Sequence, residues 1–135
     1  METLSIEEAR DWYQDADPVH DFDHVLRVYR IAERLAEAEG ADLEIVRAAA
    51  LLHDSQGSAP GVEGEARAEH HVASADFARQ ILTQKGWPEI KIKAVQHCIL
   101  AHRFRGDENA PETIEAQVLF DADKLDVLGA IGAAR

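Results

Sequence analysis

The chain has 135 residues, 46% of them hydrophobic, and a formal charge of −12 from 26 acidic against 14 basic side chains. That length supports one domain with a real core, and the charge argues against a general nucleic-acid or anionic-membrane binder, since both need a basic face to release counterions from phosphates. A lone cysteine, Cys98, excludes an intramolecular disulfide framework and fits a reducing cytoplasm.

The N-terminal METLSIEEARDWYQD is acidic and amphipathic, unlike a signal peptide. Ser5 and Glu8 read as a capping box that opens a first helix running to about Gln14, and DADP at 15–18 breaks it. A second helix is expected over 22–39, with Val25, Val28, Ala32 and Leu35 as its apolar stripe and Gly40 as its C-terminal stop. Asp42 caps a third helix, apolar on most sides through Leu43, Val46, Ala49, Ala50 and Leu52, and therefore the buried central one. This helix delivers His53 and Asp54 at its end. SQGSAPGVEGE at 55–65 is a loop by its Gly, Ser and Pro content. A fourth helix over 67–85 carries Val72, Phe77 and Ile81 and stops at Gly86. Trp87-Pro88 starts a fifth, with Ile92, Val95 and Ile99 inward. A sixth, over 112–128, sets Ile114, Val118, Leu125 and Leu128 on one side. Period-two alternation is absent, so the expected fold is all-α. No apolar run approaches the roughly 20 residues of a membrane span.

His24, His53, Asp54, His70, His71, His97, His102, Asp121 and Asp123 then stand out as polar residues at inward or terminal helix positions on five helices. Imidazole and carboxylate donors suit Mn, Fe, Co, Ni, Zn or Mg better than soft ions. A mixed His/Asp set that leaves a position for water is the arrangement of hydrolytic metal sites. Asp54 adds to this reading, because a carboxylate at a helix C-terminus faces the negative end of the dipole unless a cation compensates.

His24 in HVLRV, His53-Asp54 in LLHD and Asp123 in DADKLD resemble, in order and spacing, the motifs of the HD-domain metal-dependent phosphohydrolases. HxxxS at His70 to Ser74, ILAHRF around His102 and DADKLDVLGAIG resemble a small bacterial branch of that superfamily whose members act on nucleotides. The similarity spans about residues 20–132 of what is read as one HD domain over 1–135. It implies a compact bundle of about six helices whose central buried helix ends in the His-Asp dyad. It also implies a divalent metal, Mn favoured, on His24, His53, Asp54 and Asp123, and hydrolysis of a phosphoester or phosphoanhydride bond in a small nucleotide by a metal-activated water. The motif selects Asp123, whereas periodicity puts Asp121 on the Ile114–Val118–Leu125 stripe and Asp123 about 200° away at roughly 100° per residue; Asp121 stays as the alternative ligand.

By the same resemblance His70 and His102 are second-metal ligands, or phosphate-binding groups that protonate the leaving oxygen. Arg27, one turn after His24, offers a planar fork to a phosphate or a salt bridge to an acid, and Lys124 has the same two readings. His20, His71 and His97 do not fit the motifs and are read as structural or exposed, and Trp12, Phe77, Trp87 and Phe120 as packing. An alarmone hydrolase of the (p)ppGpp type is a rival, although Ser55, Gln56, Gly57 and Ser58 stand where that branch carries acids. A cyclic-dinucleotide phosphodiesterase lacks its extended motif here. A non-catalytic metal- or nucleotide-binding sensor is the alternative outside enzymes. The sequence ends at GAIGAAR, 129–135, where members of the branch continue into further helices. Either a compact version or a fragment is implied, with a more open pocket and an apolar face that a homodimer would cover.

Overall fold

The computed structural model describes residues 2–13, 18–55, 65–102 and 110–133, with side chains described outside 18–21, 65–71 and 127–133. The described residues form six helices and no strand: α1 Ile6–Asp11, α2 Pro18–Glu39, α3 Leu43–Leu52, α4 Glu65–Gln84, α5 Glu89–Ala101 and α6 Ile114–Ala133. No helix among them is long and apolar enough to cross a membrane.

Local chemistry sets the ends. The Glu8 backbone N–H donates to Ser5 Oγ, and the Ser5 N–H to Glu8 Oε1, so the first turn of α1 is reciprocally capped. α2 begins at Pro18 itself, four residues before the expected start, because the fixed φ of proline suits a first helical turn. Gly40 ends α2 at φ 74° and Gly86 follows α4 at φ 78°, left-handed conformations that favour glycine. Asp42 accepts from the N–H groups of Glu44 and Ile45 at the start of α3. Its own N–H donates to Glu115 on α6.

α3 is the shaft around which the others pack. Seven of its ten residues are buried, and it touches α1, α2, α4, α5 and α6. Ala48, Ala49 and Ala50 are too small to hold neighbours away, so backbones approach closely along this stretch. Tyr13 is fixed to the same helix by donating its hydroxyl hydrogen to the Leu51 carbonyl at 2.7 Å.

Three expected stripes shift. On α2 the buried position after Ala32 is Ala36, with Leu35 half-buried beside it. On α4 the core face is Ser74, Ala75, Ala78 and Leu82, whereas Val72 is 53% exposed and Phe77 and Ile81 are half-buried. Small residues face α5 there, and Phe77 instead meets Trp12 edge-on, ring centroids 5.5 Å apart. On α6 the inward side is Ala116, Val118, Leu119, Ala122 and Asp126, while Ile114 and Leu125 are 42% and 45% exposed. Leu128 lies outside the described side chains. The stripe drawn through Ile114 and Leu125 is thus rotated from the true one, and apolarity at the exposed rim of the helix is the reason.

Deleting side-chain volume should read this rotation directly. Leu119→Ala, at a fully buried site, is expected to cost about 2–5 kcal/mol in urea unfolding, and Leu125→Ala less than about 1 kcal/mol. Equal losses would contradict the orientation of α6.

Candidate metal centre

Three of the four proposed ligands come together. His24 from α2, His53 from the turn after α3 and Asp123 from α6 each offer one ligand atom, all within 4.8 Å of one another. Asp123 Oδ1 lies 3.1 Å from His24 Nε2 and 3.7 Å from His53 Nε2. Two donors about 2.1 Å from one ion, at tetrahedral or octahedral angles, are themselves roughly 3.0–3.4 Å apart, so the spacing suits a shared cation. Asp54 is half-buried in the turn beside His53 and stands outside this three-residue group. Asp121 faces away along α6, where its Oδ1 accepts from Gln117 Nε2 at 3.0 Å.

His53 is the clearest sign of a missing positive charge. Its Nδ1 donates to the Ala50 carbonyl at 2.6 Å, which satisfies an orphan acceptor of the last turn of α3 and orients the ring. Its Nε2 is buried without a hydrogen-bond partner among the described residues and faces a carboxylate oxygen. A buried acceptor left this way is costly unless a cation sits against it. His102 repeats the device at the end of α5, with Nδ1 donating to the Ile99 carbonyl. Its ring stands edge-on to His53 at 5.0 Å, and the His24 ring lies 5.7 Å from His53 on the same site.

The electrostatics follow the packing. Burial alone pushes the Asp123 carboxyl up, but the His24 hydrogen bond and the nearby His53, His102 and His24 rings outweigh it and hold it at about 2. Burial alone pushes the His24 imidazole down, and its bonds to Asp123 and Asp126 outweigh that, raising it to about 8.

Asp126 was missed by sequence reasoning. It is 6% exposed and receives His24 Nδ1 at 2.6 Å and Arg27 Nε at 2.6 Å. The available signal was spacing: His24 and Arg27 are three apart on α2, Asp123 and Asp126 three apart on α6, so each pair shares a helix face. Arg27 therefore makes the salt-bridge arrangement of its two readings, with its side chain 53% exposed. Lys124 is exposed, with Nζ 4.6 Å from the centre of the Phe120 ring. His97 accepts from the Glu112 N–H, a structural contact. The side chains of His20, His70 and His71, and residues 56–64, lie outside the described residues.

A family model for the HD domain matches residues 21–128. Bacillus subtilis YpgQ is 33% identical over 141 residues, covering 99% of this chain and 65% of its own. Its crystal structure in complex with ADP superposes at TM-score 0.66 with 32% identity, covering 96% of this chain and 64% of that one. A predicted HD superfamily hydrolase from an uncultured Thermotogales bacterium gives TM-score 0.76 at 31% identity over 96% of this chain and 70% of that one. Ribonuclease Y of Cutibacterium acnes is 38% identical over 114 residues, 84% of this chain but 17% of the relative. The chain thus spans slightly under two thirds of the length of YpgQ and a short part of the ribonuclease. With its six helices, its His-Asp turn after α3 and the match over 21–128, the chain belongs to the HD domain family.

Proposed function

We propose that the chain is a metal-dependent phosphohydrolase that uses water to cleave a phosphoester or phosphoanhydride bond of a small nucleotide. The observation that carries this reading is the convergence of His24, His53 and Asp123 around a buried imidazole nitrogen that has no hydrogen-bond partner among the described residues. Family membership supports hydrolysis, and the complex of YpgQ with ADP supports a nucleotide. His24, His53 and Asp123 would hold a divalent cation, Mn favoured, with Asp54 as the fourth ligand from the adjacent turn. Such a cation supplies Lewis-acid stabilisation of phosphate oxygens and lowers the pKa of a water.

The chain's own groups do the rest. His53, pinned through Nδ1 to Ala50, keeps Nε2 directed at Asp123. His102 has Nδ1 engaged on Ile99, so Nε2 is the atom through which it passes a proton to the departing oxygen. His70 is the other candidate donor. Lys124 and Arg27 are the candidate partners of substrate charge, Arg27 only through the part of its guanidinium that Asp126 does not occupy.

The similarity to ribonuclease Y favours a second reading, hydrolysis of a phosphodiester in RNA, which the charge of −12 opposes. Metal content of the purified protein, followed by phosphate or pyrophosphate release from nucleoside mono-, di- and triphosphates with Mn²⁺ and cleavage of a short RNA, separates the two. Bound metal with turnover of RNA alone selects the second reading, and bound metal with no turnover selects a sensing domain.

His53→Ala and Asp123→Ala are expected to weaken Mn²⁺ binding by roughly 100-fold or more and to remove turnover, whereas Asp121→Asn changes both by less than about threefold. Equal damage from Asp121→Asn would sink the ligand assignment.

Metal competes with the proton on His24 Nε2. Mn²⁺ affinity should therefore rise about tenfold per pH unit up to about pH 8 and flatten above it, as titration calorimetry across pH 6–9 would read. In EDTA the sign for stability is opposite. The folded value of about 8 exceeds the ordinary 6.5, so the stabilisation is fully present below about 6.5 and is lost as pH rises through about 8. It amounts to about 2 kcal/mol, and the low value of Asp123 records the same contact rather than an additional one. Urea unfolding at either end of this window should show the loss in the wild type and its absence in His24→Gln.

A further inference from the structure

We infer that Asp126, clamped by Arg27, is a positioning residue that fixes the tautomer and ring orientation of His24 so that Nε2, and not Nδ1, is offered to the metal. This rests on the proposal that His24 is a ligand and goes beyond it by assigning roles to two residues outside the ligand set.

The geometry is specific. The two carboxylates of α6, Asp123 and Asp126, bracket the His24 ring, Asp123 Oδ1 at 3.1 Å from Nε2 and Asp126 Oδ2 at 2.6 Å from Nδ1. Arg27 occupies the other oxygen of Asp126 through Nε at 2.6 Å, and its Nη2 reaches Oδ2 at 3.4 Å. A guanidinium only donates, so it holds Asp126 as an ionised acceptor. An ionised acceptor at 2.6 Å from Nδ1 requires the hydrogen to sit on Nδ1, which leaves the Nε2 electron pair for a cation. A neutral imidazole with its hydrogen on Nε2 would have no pair to give there. Flipping the ring would turn Nδ1 away from Asp126, leave that buried carboxylate to Arg27 alone and withdraw Nε2 from Asp123. His53 reaches the same tautomer by a different route, through a backbone carbonyl at the end of its own helix. The centre therefore has two imidazoles fixed at Nδ1, one by a carbonyl and one by the Asp126–Arg27 pair, both with Nε2 towards Asp123.

The test reads the imidazole and the metal separately. In the metal-free protein at about pH 9, long-range ¹⁵N–¹H correlation should place the His24 hydrogen on Nδ1, and Asp126→Ala should move it to Nε2. Mn²⁺ dissociation constants from calorimetry should rise about 10–100-fold in Asp126→Ala. Asp126→Asn keeps the shape but has one acceptor oxygen for two donors, so it should fall between, and it decides the matter should the alanine variant not fold. Arg27→Ala should weaken binding in the same direction while leaving Asp126 and His24 in place. Wild-type Mn²⁺ affinity and an unmoved tautomer in Asp126→Asn and Asp126→Ala would overturn the inference. Failure of the wild type to hydrolyse any nucleotide, with the Asp126 dependence intact, would overturn the proposed activity and leave the positioning role standing.

Discussion

The packing of α2 on α6 is the constraint on which the centre depends. It is the most extensive helix pairing among the described residues, and its polar end sets His24 and Arg27 against Asp123 and Asp126. Each pair is separated by three residues, so both members lie on one helix face and arrive together when the two helices meet. Burying carboxylates is expensive unless each oxygen finds a partner, and here Asp126 finds two. Asp123 finds one fully and a second at 3.7 Å. That imbalance between two acids on the same helix separates the carboxylate engaged on both oxygens, Asp126, from the one that faces two imidazole Nε2 atoms, Asp123.

The second constraint is that two helices end at the same place. α3 and α5 terminate at His53 and His102, and each imidazole bonds a carbonyl of its own last turn. Helix C-termini carry partial negative charge. Two of them beside Asp123 add to the negative potential of its carboxylate. The hydrogen bonds and charges of Asp123 and Asp126 hold the proton on His24 up to about pH 8, and on the proposed reading a metal competes with that proton. The alanine run of α3 is buried among these helices, and beyond it the His53 ring centroid lies 5.7 Å from that of His24 and 5.0 Å from that of His102.

Much of this was legible in the sequence because local chemistry decides it. The Ser5–Glu8 box, the Gly40 stop, the Asp42 cap and the apolar face of α5 each follow from a few neighbouring residues. The face of α6 was not legible in the same way. Ile114 and Leu125 are apolar and exposed, Asp126 is charged and buried, and a stripe drawn on hydrophobicity alone therefore rotates the helix. That rotation created the conflict between Asp121 and Asp123. Once the buried side is taken as Val118, Leu119, Ala122 and Asp126, Asp123 lies next to the core edge facing α2, and Asp121 turns to Gln117. Asp126 escaped notice because its partners, His24 and Arg27, are about 100 residues away in sequence, and only packing brings them together.

The charge balance of the site bears on how an anionic substrate could be accommodated at all. The protein carries −12 overall, and Asp123 and Asp126 add two carboxylates at the centre itself. Of the two described cations that sequence alone could direct at a phosphate, Arg27 is bonded to Asp126 and Lys124 rests over Phe120. On the proposed reading, most of the attraction for phosphate must then come from the metal, which two neutral imidazoles and the carboxylates of Asp123 and Asp54 would hold. Arg27 contributes indirectly: by neutralising Asp126 it keeps a second full negative charge from facing the substrate. Metal retention and substrate affinity are thereby tied to the same few side chains, so a change at α2 or α6 that loosens the imidazole of His24 reaches both.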